Sequence, residues 1–431
     1  MKVISFALLG AGLLAGCNSA PTSGSAETSA TSAAALLTPG PWRGELAIQG
    51  QQLPFLFEVK AEGGKPVVYL INKGLNGEER LRCDEISAAG DSVTIKLHIF
   101  DAALVVRAAD KAKLTGAWVK YDAKTPYRVP LVATAGSKPL FEGGADKTAT
   151  FSGNWQTEFK DETGTAYPAV GIFKQTGNEV TGTFLTTTGD YRYLAGQANG
   201  STLHLSTFDG GHAFLFTGKL HGDRVAKDTV NNINGEFYSG KSGHEQWLAH
   251  INPAAKLPDA DTLTYLKKGE SRLNFKFPSV VEGGSVSPTD PEYKGKVVVI
   301  QVLGSWCPNC MDETGFLAPW YAKNKARGVE VIGLGYERSP EYAKAAPRLR
   351  KLKERFDIGY DLAIAGVANK DSVAKSMPQL AKFLAFPTTI FLDKKGAVRS
   401  IHTGFSGPGT GKYYDEEIAG FNRTVDKLLK E

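Results

Sequence analysis

The chain has 431 residues with 50 Lys and Arg against 45 Asp and Glu, a formal net charge of +5 that is intermixed along the sequence. That length exceeds what one hydrophobic core usually serves, so two or three domains are expected, and with no basic tract nothing points to nucleic acid. The densest basic run, Arg348 to Arg355, alternates with leucines and reads as the solvated face of a helix.

Lys2 is followed by an apolar run, Val3 to Leu14, with the length of a signal-peptide core and too short to span a bilayer as a helix. Export is the expectation. The run closes on Leu14-Ala15-Gly16-Cys17, which resembles the lipobox of bacterial lipoproteins. The resemblance implies cleavage before Cys17, a diacylated Cys17 as membrane anchor and, with Asn18 rather than Asp next, an outer-membrane destination facing the periplasm. An ordinary signal peptide with a cysteine near its end is the alternative. After residues 1–17 as leader, residues 18–41 are rich in Ser, Thr, Ala, Pro and Gly, which marks a flexible tether.

From Trp42 to Asn252 apolar and polar residues alternate, as in Ile95, Leu97 and Ile99 against Thr94, Lys96 and His98. This is the period of strands with one buried face, and Gly-rich turns such as Glu62-Gly-Gly64 and Asp209-Gly-Gly211 punctuate it. The layout is written twice: Trp42 leads to Leu53-Pro54 and on to Trp118, and Trp155 leads to Tyr167-Pro168 and on to Phe237. Two β repeats, 42–137 and 148–252, are therefore expected, each with room for about eight strands in a barrel or sandwich. Tyr191, Tyr193, Phe208, Phe214 and Phe216 fit a core, or the mouth of a ligand-binding barrel. His98, His204, His212, His221, His244 and His250 lack metal-ligand spacing, and Cys83 reads as a buried small residue.

Beyond a linker at 253–272, residues 273–431 alternate strands and helices. The expected order is strand 328–336, helix 340–356, strand 360–364, helix 372–384, strands within 388–402 and a final helix 414–429. A buried-strand pattern, Lys296 to Leu303, runs into Gly304-Ser-Trp-Cys-Pro-Asn-Cys310 and then a helix. At a helix N-terminus the unpaired N-H groups and the dipole favour thiolate at Cys307, and Cys310 one turn on can reach the same sulfur. Structural zinc would need two more ligands, yet this part of the chain has no second C-x-x-C and only His402 as a histidine. A purely structural disulfide would gain little from closing so short a loop. No motif implies a cofactor.

With Glu313 and Phe386-Pro-Thr-Thr-Ile-Phe-Leu-Asp393, this motif resembles the TlpA and ResA family of exported thioredoxin-like proteins. The resemblance covers residues 273–431. It implies an α/β thioredoxin-like fold, protein thiols and disulfides as substrates with an unknown redox donor, and a cis Pro387 beside the disulfide. It also implies that Glu313 accepts the proton of Cys310, since Gln301 replaces the buried Asp of cytoplasmic thioredoxins. Catalytic roles are thus expected for Cys307, Cys310, Glu313 and Pro387. Departures are Gly315, where the family often has proline, and a glycine-rich segment from Ile401 to Lys412 that suits a lid or partner contact. His402 reads as a structural strand-end residue or an aid to the thiol chemistry. Reduction of envelope protein disulfides is the expected function. A thioredoxin-fold peroxidase, or a binding β module with a redox effector, are the alternatives.

Overall fold

The computed structural model describes Ala33 and residues 36–122, 125–144, 148–221 and 232–431. Cys17 and most of the tether lie outside the described residues. The N-terminal part is all β, and a thioredoxin-like α/β domain follows it.

The first β unit is a nine-stranded antiparallel sheet from Gly40 to Ala135, one strand more than the layout suggested. Its first strand pairs with the second and the ninth, and the sheet stays open between Gly77–Cys83 and Ile86–Ala89, giving a half-barrel. The second unit, Gly153 to Ile251, also has nine strands, and pairing of Ala166–Thr176 with Glu179–Thr186 closes it into a barrel. The duplication holds in detail. In each unit a buried tryptophan of the first strand donates its indole N-H to the carbonyl four residues back, Trp42 to Thr38 at 2.9 Å and Trp155 to Phe151 at 2.8 Å. Three residues after each tryptophan a glutamate stands opposite a proline, Glu45 against Pro54 and Glu158 against Pro168.

Tyr191, Phe214 and Phe216 pack inside the barrel with Phe159, Phe184 and Phe237, while Phe208 turns the other way into the first unit against Phe55 and Trp118. They are core and seam residues. Cys83 is fully buried, and burial pushes its thiol up to about 12.

The α/β domain has a five-stranded sheet in the order Asp361–Val367, Val329–Glu337, Val297–Leu303, Thr388–Leu392, Val398–Thr403. The first three run parallel, Thr388–Leu392 runs antiparallel to the central strand, and Val398–Thr403 runs antiparallel to Thr388–Leu392 in turn. Every residue of Val297–Leu303 is buried, as a run of Val, Ile and Leu at the middle of such a sheet requires. The helices are α1 (Pro308–Asn324), α2 (Tyr342–Arg355), α3 (Lys370–Ser376) and α4 (Lys412–Lys430).

Three expectations are corrected here. The helix expected over 372–384 is the short α3, because Pro378 removes a donor and disfavours helical backbone at Met377, whose φ and ψ are −125° and 72°. The chain then forms a short strand, Leu380–Lys382, paired with Tyr265–Leu266. The basic run of α2 is not simply solvated: Arg355 reaches Asp84 at 2.7 Å, Lys351 reaches Glu85 at 2.5 Å, and Arg348 binds Asp101, all on the first β unit. The 401–412 segment is no free lid, for Gly404, Gly407 and Gly409 to Gly411 are buried against the β units. One apolar core runs from the first unit, through Leu97, Phe100 and Phe208, to Cys310, Met311 and Leu317 of α1.

Candidate active site

The central strand ends at Leu303 and the chain turns through Ser305 and Trp306 into α1. A buried glutamate holds this turn. Glu337 accepts the Ser305 N-H at 2.9 Å and its hydroxyl at 2.7 Å, while the Trp306 indole donates to the Tyr336 carbonyl at 2.8 Å. The guanidinium of Arg338 lies over the Trp306 ring at 4.0 Å.

Cys307 is the N-cap of α1. Its sulfur accepts the Cys310 N-H at 3.3 Å, so it sits where the helix leaves donors unpaired and its dipole is positive. Both cysteines are free thiols, Cys307 6% and Cys310 1% exposed. Burial, with Cys307 beside it, holds the Cys310 thiol well above its ordinary range. The pair is therefore asymmetric: Cys307 caps the helix at its N-terminus, and Cys310, buried behind it, keeps its proton until something removes it. Opposite them the Phe386-Pro387 peptide is cis, and the Phe386 carbonyl lies 3.8 Å from the Cys307 sulfur.

Glu313, one turn beyond Cys310, is 2% exposed. It accepts the Gln301 amide N-H at 2.7 Å and the Thr389 hydroxyl, and Gln301 in turn meets the Tyr360 hydroxyl at 3.3 Å. Burial raises the Glu313 carboxyl to about 7, against the pull of these two donors. Such a group can take up and release a proton near neutrality. Thr389 was not singled out from the sequence. Its place two residues after Pro387, on a strand facing α1, was the available signal.

Sequence reasoning also missed the seam with the β units. Arg192, fully buried and with φ of +56°, forks Asp312 of α1 through Nε and Nη2, each at 2.7 Å. The same guanidinium binds Glu79 of the first unit and Asp209 at 3.3 Å. Asp190 accepts the Gly407 N-H at 2.8 Å through its carboxylate, and its backbone carbonyl takes the Asn309 side-chain amide at 3.0 Å. A Cβ on Gly407 would lie 2.6 Å from Asp312 Oδ2, so only glycine allows this approach. On the other flank Gly210 and Gly211 stand over Phe100 and Pro308, held by the Trp118 indole at 3.2 Å and the Lys120 ammonium at 3.1 Å. The β units thus border the Cys-Pro-Asn-Cys loop along its Pro308 and Asn309 side.

His402 lies on the back of this centre, between Asp261 at 2.7 Å and Glu417 at 2.9 Å, and these two carboxylates raise its imidazole to about 10 against the effect of burial.

Comparison with known proteins gives a consistent picture. The Redoxin family model matches residues 267–418. The thiol-disulfide oxidoreductase ResA of Halalkalibacterium halodurans is 26% identical over 138 residues, 32% of this chain and 69% of that protein. The ResA of Geobacillus kaustophilus is 29% identical over 115 residues, 26% of this chain and 58% of its own length. The thiol:disulfide interchange protein DsbE of Escherichia coli K12 is 25% identical over 159 residues, 35% of this chain and 71% of that protein. Among solved structures, a thiol-disulfide isomerase from Corynebacterium glutamicum is 19% identical, with 38% of this chain and 98% of that one covered and a TM-score of 0.30. The Redoxin match spans the very strand-to-helix turn that carries the paired thiols and the cis peptide facing them, and with the ResA and DsbE relatives it makes the C-terminal part of this chain a TlpA- and ResA-like thioredoxin-fold domain, a thiol-disulfide oxidoreductase.

Proposed function

We propose that Cys307 and Cys310 are the redox pair and that the chain reduces disulfides of proteins in the cell envelope. Cys307 attacks one sulfur of the substrate disulfide, forming a mixed disulfide and releasing the other as thiolate. Cys310 then attacks the Cys307 sulfur, the bond to the substrate breaks, and its proton passes to Glu313. The backbone before Pro387 lies beside the attacking sulfur and serves as the strand edge for the substrate chain. The observation that carries this reading is the N-cap position of Cys307 with Cys310 buried behind it.

Export is consistent with the apolar leader, and anchoring at the outer membrane by a lipid on Cys17 is the finer part of the proposal, supported by the Leu-Ala-Gly-Cys motif. The deciding experiment is trapping. Cys310→Ala, expressed with its leader, is expected to accumulate mixed disulfides with exported proteins, visible after acid quenching on non-reducing gels, whereas Cys307→Ala accumulates far less. Equal trapping by both variants, or none by either, would contradict the assignment.

A further inference from the structure

Glu313 is buried among α1, the central strand and the strand after Pro387, so the route by which its proton reaches solvent is a structural question. The disulfide face is closed, since Cys310 itself is covered and the β units border the loop. On the opposite side the structure has a cavity of about 540 Å³ whose inner wall includes Glu313 and Thr389. Its outer wall is made by exposed residues of α4, including Glu416, Arg423 and Lys427, and by Asp259 and Asp261 of the segment leading into the domain. Between the two walls stand His402 and Glu417. His402 is the cross-strand neighbour of Thr389, and Thr389 donates to Glu313.

We propose that this cavity is the proton port of the thiol-disulfide reaction and that His402 is a positioning residue that sets its charge. This rests on the reading of Glu313 as acceptor of the Cys310 proton. When Cys310 attacks the mixed disulfide, the Cys310-Cys307 bond forms, the bond from Cys307 to the substrate sulfur breaks, and the leaving thiolate takes a proton from solvent. The proton from Cys310 moves to Glu313 and leaves through the cavity, and the reverse path serves the opposite direction of exchange. The two electrons end on the substrate sulfurs.

The electrostatics explain why an imidazolium is placed here. Among the charged groups on the cavity wall, Glu417 opposes ionisation of Glu313 by its negative charge. His402, with both ring nitrogens bound to carboxylates, stays cationic and acts in the opposite sense. Asp261 fixes its second nitrogen. Arg423 and Lys427 lie in the exposed wall, where solvent screens them. Thr389, Gln301 and Tyr360 complete the neutral inner shell, and Cys310 is the titrating neighbour on the helix itself.

The test uses the full chain and the pH profile of single-turnover reduction of a small aromatic disulfide, followed through release of the resolved product. His402→Gln is expected to move the midpoint upward and Glu417→Gln downward, with a rate change on the order of three- to tenfold at pH 6, the size of a shift of half to one pH unit. Loss of packing would not give opposite displacements, and Glu417→Gln keeps the test alive if His402→Gln folds poorly. In a Glu313→Gln background neither substitution should move the profile. Displacements of the same sign, no displacement, or full displacements surviving in that background would overturn the port. If Glu313→Gln alone leaves the profile unchanged, the role of Glu313 fails, and the port with it.

Discussion

Arg192 shows how one residue can bind three parts of the molecule. A buried guanidinium costs several kcal/mol to desolvate, and here it is repaid by a two-pronged contact to Asp312 and further bonds to Glu79 and Asp209. Its left-handed backbone is held by the Asp190 carboxylate, which accepts the Arg192 N-H at 2.5 Å. Removing the cation leaves carboxylates without their partner inside protein, the strongly destabilising way to break such a cluster. Arg192→Met should therefore lower the free energy of unfolding by about 3–5 kcal/mol in urea titrations at pH 7. Combining it with Asp312→Leu should recover part of that loss, since a well-packed apolar pair replaces the broken ionic one. A single-variant cost below about 1 kcal/mol would show that solvent reaches the cluster. None of this was legible in the sequence. Arg192 and Asp312 are 120 positions apart, and which carboxylate meets which guanidinium depends on the docking of three folded units. The Cys307 motif was legible because its chemistry is contiguous: strand, turn, N-cap and first helical turn follow one another along the chain. Glu313 shared that advantage through helical spacing, while Thr389 and Gln301, which hold it, come from two other strands.

At the level of elements, the same contrast separates what local pattern fixes from what docking decides. Alternation marked the β region and repeated layout marked its duplication, because strand period and turn chemistry are properties of short segments. The basic face of α2 looked solvated for the same reason: from within the helix, Arg348, Lys351 and Arg355 have no visible partner. Their partners, Asp101, Glu85 and Asp84, lie on the first β unit, and the three basic side chains are 20–28% exposed. Each such pair contributes at most about 1 kcal/mol, so the row acts mainly to select the register of docking. Reversing two of them together should matter more than losing them, because like charges then face each other. Lys351→Glu with Arg355→Glu is expected to destabilise the chain by about 1–2 kcal/mol at low salt, and 1 M salt should restore much of it. Lys344→Glu, whose partner Glu341 is on the same helix end, provides the control. An equal effect from the control, or no salt dependence, would remove the docking role.

For the molecule as a whole, the β units and the redox domain share a continuous apolar core and a buried ionic seam, so the β region works as a scaffold around the Cys-Pro-Asn-Cys loop and is more than a tethered appendage. The seam gathers Glu79, Asp190, Asp209 and Asp312 about one guanidinium, more negative charge than Arg192 can balance. Burial first, and repulsion from Asp312 and Asp209, hold Glu79 at about 7 despite Arg192, and burial with the charge of Asp312 does the same to Asp190. Asp209 goes the other way, to about 2, because His212 and Arg192 outweigh its burial. The signs follow from linkage. Glu79 and Asp190 bind protons more tightly folded than unfolded, so their contribution is full below pH 4 and is lost as the pH climbs toward 7 and above it. Asp209 contributes above pH 4 and is lost only as the pH falls toward 2. The seam should therefore be firmest in mildly acidic solution and loosen toward pH 8. Glu79→Gln keeps an oxygen for Arg192 but cannot ionise, so it should flatten the decline in unfolding free energy between pH 5 and pH 8 by on the order of 1–3 kcal/mol. Urea titrations across that range measure this directly, with hydrogen exchange of the amides around Asp190 and Gly407 reporting the seam itself. Wild type and Glu79→Gln running parallel from pH 5 to pH 8 would mean that Glu79 is already ionised in the folded seam and that Arg192 carries the excess charge unaided.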